Sequence, residues 1–182
     1  MQDEELVHSI LKGNQRDYER LILKYQSNVF RTAMGLLHNR EDAEDITQDV
    51  FIKVFQSLRD FGGKAAFSTW LYRITINTSL NFIRKKKRQK LWLSLVAAFQ
   101  QPSSGKQPDA LIIEKSEREI IRNGIEHLRE KQRIAFVLSK YEELSQKEVA
   151  AIMGISEGAV EQLLIRAKYN LKKKLENIIQ RP

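Results

Sequence analysis

Cysteine is absent from all 182 residues, which excludes disulfides, cysteine-ligated zinc and a cysteine nucleophile and agrees with a reducing compartment. No apolar run approaches the roughly 20 residues of a membrane helix, so no stable membrane insertion is expected. The N-terminal segment MQDEELVHSILKGN is acidic and amphipathic, unlike a secretory signal, and a cytoplasmic location is expected. His8, His38 and His127 are scattered without metal-ligand spacing such as HExxH. The eight glycines include no GxxxxGK phosphate loop, and no nucleophile motif occurs. Catalytic residues, a metal site and a cofactor are therefore not expected, and the chain does not read as an enzyme.

Acidic residues are missing from one stretch in particular. Residues 1–60 hold eight Lys/Arg and eleven Asp/Glu, whereas residues 61–90 hold eight Lys/Arg and no acid. That stretch carries a charge equal to the whole formal excess of +8, which suits a polyanionic partner. With 42% hydrophobic and 30% charged residues, the chain should fold and stay in solution.

Alternating runs bounded by turn signals are also lacking, and three- and four-residue apolar steps dominate. Leu6 and Ile10 form one such set; Tyr18, Leu21, Ile22 and Tyr25 another; Ile46, Val50, Val54 and Leu58 a third. Asn39 before Arg40-Glu41-Asp42 predicts an N-cap and acidic first turn for a helix to about Leu58. After Phe61-Gly62-Gly63-Lys64, a second long helix should begin near Ser68 or Thr69 and end in the basic run 84–88. Two of the three prolines fall in QQPSSGKQP at 100–108, a linker composition. The expected fold is all-α: a helical domain over 1–92, a flexible linker over 93–115 and a smaller helical domain over 116–182.

Three segments carry functional signals. LSQKEVAAIMGISEGAVEQ at 144–162 predicts a helix-turn-helix, in which Ser145 and Glu148 form a capping box, Gly154 makes the turn and Ser156 caps the next helix. That second helix would meet the major groove, with Arg166, Lys168 and the lysines at 172–174 on phosphate. An ordinary helical hairpin packed through Val149, Ile152, Ile155, Val160 and Leu164 is the plainer alternative. In FSTWLYRITINTSLNFIRKKKR at 67–88, aromatic and amide side chains interleave with arginine, which suits unstacked bases and phosphates. Trp70 and Phe82 could equally be core. In REDAEDITQDVFIKVF at 40–55, Glu41, Glu44, Asp45, Gln48 and Asp49 fall on one side of a helix, where they could dock a basic partner or only meet water.

These segments, in this order, resemble the extracytoplasmic-function branch of the sigma-70 family over nearly the whole chain. The resemblance implies a factor that binds core RNA polymerase, directs it to promoters and melts DNA. It implies that Glu41, Glu44, Asp45, Gln48, Asp49, Phe51 and Lys53 form or support a surface for the clamp coiled coil of the largest polymerase subunit. It implies that Phe61, Lys64, Phe67, Ser68, Thr69, Trp70, Arg73, Asn77, Asn81, Arg84, Lys85 and Arg88 serve the minus-ten element. Ser156, Glu157, Gly158, Ala159, Glu161, Gln162, Ile165, Arg166 and Lys168 would serve the minus-thirty-five element, beside the flap of the second-largest subunit. An anti-sigma factor is the implied regulator. Glu161, Gln162 and Leu163 stand where many relatives carry basic or serine residues, and Asn81 where aspartate is common. A polymerase-independent helix-turn-helix regulator is the rival reading; the acidic helix at 40–58 separates the two.

Overall fold

The computed structural model describes residues 2–100 and 117–179, with side chains over 2–96 and 119–176. Among these residues all regular structure is helical. The elements are α1 (Asp3–Leu11), α2 (Gln15–Leu37), α3 (Arg40–Ser57), a 3-10 turn (Leu58–Asp60), α4 (Phe67–Gln100), α5 (Glu117–Glu126), α6 (Glu130–Lys140), α7 (Gln146–Met153) and α8 (Glu157–Ile179).

Helix α3 starts where Asn39 predicts, because the Asn39 side chain accepts the Asp42 amide at 2.9 Å and meets one of the donors a helix start leaves free. Its four-residue steps then bury Ile46, Val50 and Val54, followed by Leu58. They pack with Leu21, Val29 and Ala33 of α2 and Phe67 and Leu71 of α4. Each such side chain stabilises by about 1.5–3 kcal/mol, and truncating fully buried Leu21 to alanine should cost about 2–5 kcal/mol. The Tyr18 hydroxyl donates to the Phe51 carbonyl, fastening α2 to α3. Thr75 and Ser79 are buried on α4, yet each hydroxyl donates to the carbonyl four residues back, at 2.9 and 2.8 Å. That satisfies them within their own helix and lets α4 run through the core.

Helix α4 continues past the basic run to Gln100, so residues 93–100 of the expected linker are helical; no proline or glycine interrupts the chain there. The rest of that linker lies outside the described residues. Leu91, Trp92, Leu93 and Leu95 on this extension are exposed.

The second core is shared between the halves of the chain. Leu36, Tyr72, Ile76 and Leu80 from α2 and α4 pack with Ile134, Val137 and Leu138 of α6 and Val149, Ile152 and Val160 of the helix-turn-helix. A Cβ on Gly35 would lie 2.8 Å from a Val137 methyl, so only glycine lets α2 and α6 approach this closely. The sequence reading anticipated two domains on a flexible linker and offered no sign of this packing.

Candidate nucleic-acid interface

The acidic helix presents its charges as the sequence suggests. Glu41, Glu44, Asp45, Gln48 and Asp49 are exposed on α3, while Phe51 is buried and supports the face from beneath. Arg40 pairs with Glu44 at 2.8 Å. Ile52 and Phe55 stand exposed at 55% and 57% on the same helix, an apolar addition that the charge pattern did not flag. Lys53 reaches from α3 to the Thr78 hydroxyl at 3.1 Å and lines a groove with Gln56, Ser57, Ile74, Asn77 and Asn81.

The loop before α4 is held by rings packed edge-on or tilted against one another. Phe61 lies 5.6 Å from Phe67 and 5.3 Å from Trp70, and Phe67 lies 5.7 Å from Trp70, distances at which aromatic pairs attract. Phe67 is only 1% exposed, so the expectation that it faces DNA fails: its ring props Phe61 and Trp70, which are half-buried. Lys64 is fully on the surface, and Ser68 and Thr69 are half-buried at the helix start. Farther along α4, Asn77, Asn81, Lys85 and Arg88 are exposed. Lys86 is drawn to Asp42 at 2.6 Å, tying the basic end of α4 to the first turn of α3.

Two cations of this face are already engaged. Arg73 donates from Nε to the Ile152 carbonyl at 3.0 Å and from Nη2 to the Ala151 carbonyl at 2.6 Å. These carbonyls end α7, where the helix leaves acceptors free and carries partial negative charge. Arg84 donates from its Nη2 alone to both carboxylate oxygens of Glu130 at 2.9 Å. Behind them, Glu142 is buried among Arg31, Asn28 and Tyr72. The first of the two glutamates in YEEL gives no sequence signal that it will find an arginine 111 positions away.

The helix-turn-helix forms as its caps predict. Ser145 and Glu148 close a capping box, with the Ser145 amide 2.8 Å from the Glu148 carboxylate; those bonds hold the carboxyl below its usual range. Gly154 ends α7 in the left-handed region at φ 65°, and the Ser156 hydroxyl accepts the Ala159 amide at 3.2 Å. Val160 and Ala167 turn inward. Ser156, Glu157, Gly158, Ala159, Glu161, Gln162, Ile165, Arg166 and Lys168 all face solvent. Among the described residues no cluster of His, Asp or Glu could hold a metal ion, and no helix is long and apolar enough to cross a membrane.

Comparison with known proteins agrees with this layout. Residues 21–89 match the sigma-70 region 2 family and residues 118–171 the sigma-70 region 4 family. The RNA polymerase sigma-H factor of Pseudomonas aeruginosa is 32% identical, across 98% of this chain and 96% of its own length. The ECF RNA polymerase sigma-E factor of Escherichia coli K12 is also 32% identical, across 98% and 97%. Among solved structures, CnrH in complex with the cytosolic domain of CnrY aligns with a TM-score of 0.69 and 25% identity, covering 96% of this chain and 97% of that one. The sigma factor RpoE of Bartonella quintana, in complex with the anti-sigma factor NepR, shares the fold with a TM-score of 0.64 and 20% identity, covering 91% and 99%.

Proposed function

The chain belongs to the sigma-70 family, in its extracytoplasmic-function branch, and from that premise we propose how its surfaces divide the work of promoter-specific initiation. It is a sigma factor: it binds core RNA polymerase, directs it to promoters and promotes melting. The domain over 1–92 binds polymerase and the minus-ten element, and the domain over 116–182 binds the minus-thirty-five element and the flap.

The acidic face of α3, with Asp45, Gln48 and Asp49 at its centre and Ile52 and Phe55 beside it, receives the clamp coiled coil. Exposed apolar side chains next to charged ones give such a face both area to bury and charge to orient a partner. Lys64, Asn77, Asn81, Lys85 and Arg88 contact the minus-ten strand, and Phe61 and Trp70 shape the loop that offsets the few kcal/mol needed to unstack a base. Melting then draws on binding energy alone, with no catalytic step in this chain. On α8, Glu161, Gln162 and Arg166 face base edges and Lys168 the backbone. An anti-sigma factor that covers these surfaces is the expected regulator, and the factor works in the cytoplasm.

The observation that carries this reading is the simultaneous exposure of the acidic α3 face, the basic α4 face and the capped recognition helix on one chain. The test is transcription in vitro by core polymerase on randomised promoter templates, with starts sequenced. Specific initiation only when the protein is added is the expected result. Equal, unspecific starts with and without it, from a competent core enzyme, would move the function to a stand-alone regulator.

A further inference from the structure

Helix α4 outruns the fold that it crosses. It buries Leu71, Tyr72, Ile76 and Leu80, but every residue from Arg84 to Leu95 is exposed, a length of about 18 Å at the helical rise per residue. The root of this arm is tied down where Lys86 pairs with Asp42 at 2.6 Å. Farther along, Leu91, Trp92, Leu93 and Leu95 are between 46% and 68% exposed. Their closeness in the chain makes them a patch, unlike the single apolar residues that any surface carries. A helix in water draws most of its stability from packing an apolar face, and neither core includes this one.

The arm sorts its residues by side. At helical spacing Leu91, Trp92, Leu95 and Val96 share one face, and Lys87, Lys90 and Ser94 fall on the other. The charge is of one sign: six of the seven residues 84–90 are Lys or Arg, and no acid occurs between Asp60 and Asp109. Arg84 and Lys86 are committed to Glu130 and Asp42. Lys85, Lys87, Arg88 and Lys90 have no acid partner among the described residues.

We infer that residues 84–96 form a membrane-surface arm, which lies in the headgroup boundary of an anionic bilayer with Leu91, Trp92 and Leu95 toward the acyl chains and the free cations among the phosphates. Nucleic acid would satisfy the cations but leave the leucines in water. A second copy of this chain would cover the leucines but bring the same unpaired cations against them, and like charges repel. The cytoplasmic leaflet supplies both requirements, anionic headgroups above an apolar layer. Trp92, an apolar ring with one polar N–H, suits that boundary. Among the described residues no helix is long and apolar enough to cross a membrane, so the arm lies on the bilayer and does not span it. The inference stands beside the sigma-factor reading and does not rest on it.

Sedimentation of the full chain with lipid vesicles tests the arm. Binding to vesicles of phosphatidylcholine and phosphatidylglycerol in equal parts should be at least about tenfold stronger than to phosphatidylcholine alone, and salt should weaken it. The chain has two tryptophans, and Trp70 is already packed against Phe61 and Phe67. Emission from Trp92 should therefore move to the blue on binding, and Trp92→Phe should still bind but lose that shift. Leu91→Ser/Trp92→Ser/Leu95→Ser should weaken binding by about tenfold or more. Lys87→Gln/Lys90→Gln, which spares the cations assigned above to the minus-ten strand, should weaken it by about tenfold. Both variants alter only exposed side chains, so the unfolding midpoint should match the parent.

A parent chain that ignores the anionic vesicles overturns the arm. Weakening by the lysine substitutions alone, with the serine variant bound like the parent, would reduce the segment to a polyanion surface of the nucleic-acid kind and overturns it too. A parent that is dimeric in sedimentation velocity without lipid, with the serine variant monomeric, would assign the apolar face to a second copy instead. None of these readouts uses polymerase, so they judge the arm whatever the initiation assay returns.

Discussion

Asp45 and Asp49 stand one helical turn apart on α3, both exposed and neither paired with a cation among the described residues. Carboxylates held at this spacing with no internal partner are free for a basic partner helix. Asp45→Lys/Asp49→Lys should therefore lower polymerase-dependent initiation by at least about tenfold while leaving the helical circular dichroism and unfolding midpoint unchanged. Initiation at the parent level would remove this face from the polymerase surface.

Arg166 is exposed on α8 and lines a shallow groove with Arg129, Gln132, Ile165, Tyr169 and Asn170. A guanidinium that reads a base edge is worth about 1–3 kcal/mol of discrimination, whereas one on phosphate weakens all sequences alike. Arg166→Ala should cut initiation at the selected promoter by roughly tenfold and narrow its margin over templates altered in the upstream element. A uniform loss on every template would assign Arg166 to the backbone instead.

The capping box makes a local prediction. Ser145→Ala removes the hydroxyl that accepts the Glu148 amide and leaves an orphan donor at the start of α7. A loss of about 1 kcal/mol follows. The Glu148 carboxyl is held below its ordinary value, so its share is present above that value and fades as pH falls. Urea unfolding of both proteins at neutral and acid pH checks this. A variant as far below the parent at acid pH as at neutral pH would show that the box contributes no charge-dependent stability.

Local order was legible in the sequence because it is written in near neighbours. The Asn39 cap, the Ser145-Glu148 box, the Gly154 turn and the four-residue steps of α3 each involve residues within a turn of one another, and each appears where expected. Phe67 was misread because an aromatic among arginines suits both a base and a core, and only the positions of Phe61 and Trp70 decide. The packing between the two halves was illegible for a different reason. Glu142 meets Arg31 and Arg73 meets Ile152 through the mutual placement of helices far apart in the chain, and no short pattern encodes that.

His38 ends α2 in the left-handed region and is buried with its Nε2 unpartnered. It faces Arg122, Glu126 and Arg133 of the C-terminal half. Burial is the largest influence on its pKa and lowers it from 6.5; Arg122 and Arg133 act in the same direction, and Glu126 opposes them. The folded chain thus binds this proton less readily than the unfolded chain, and the sign of the linkage follows. Stability is full above the unfolded value of 6.5 and declines as pH falls from there toward the lower folded value. Protonation would add a cation beside Arg122 and Arg133, which opposes folding at acid pH. His38→Asn keeps a residue suited to the left-handed conformation and removes the titration. The parent should lose more of its urea midpoint than the variant between pH values of about 7.5 and 5.5. Parallel midpoints for the two proteins across that range would detach His38 from the pH dependence of stability.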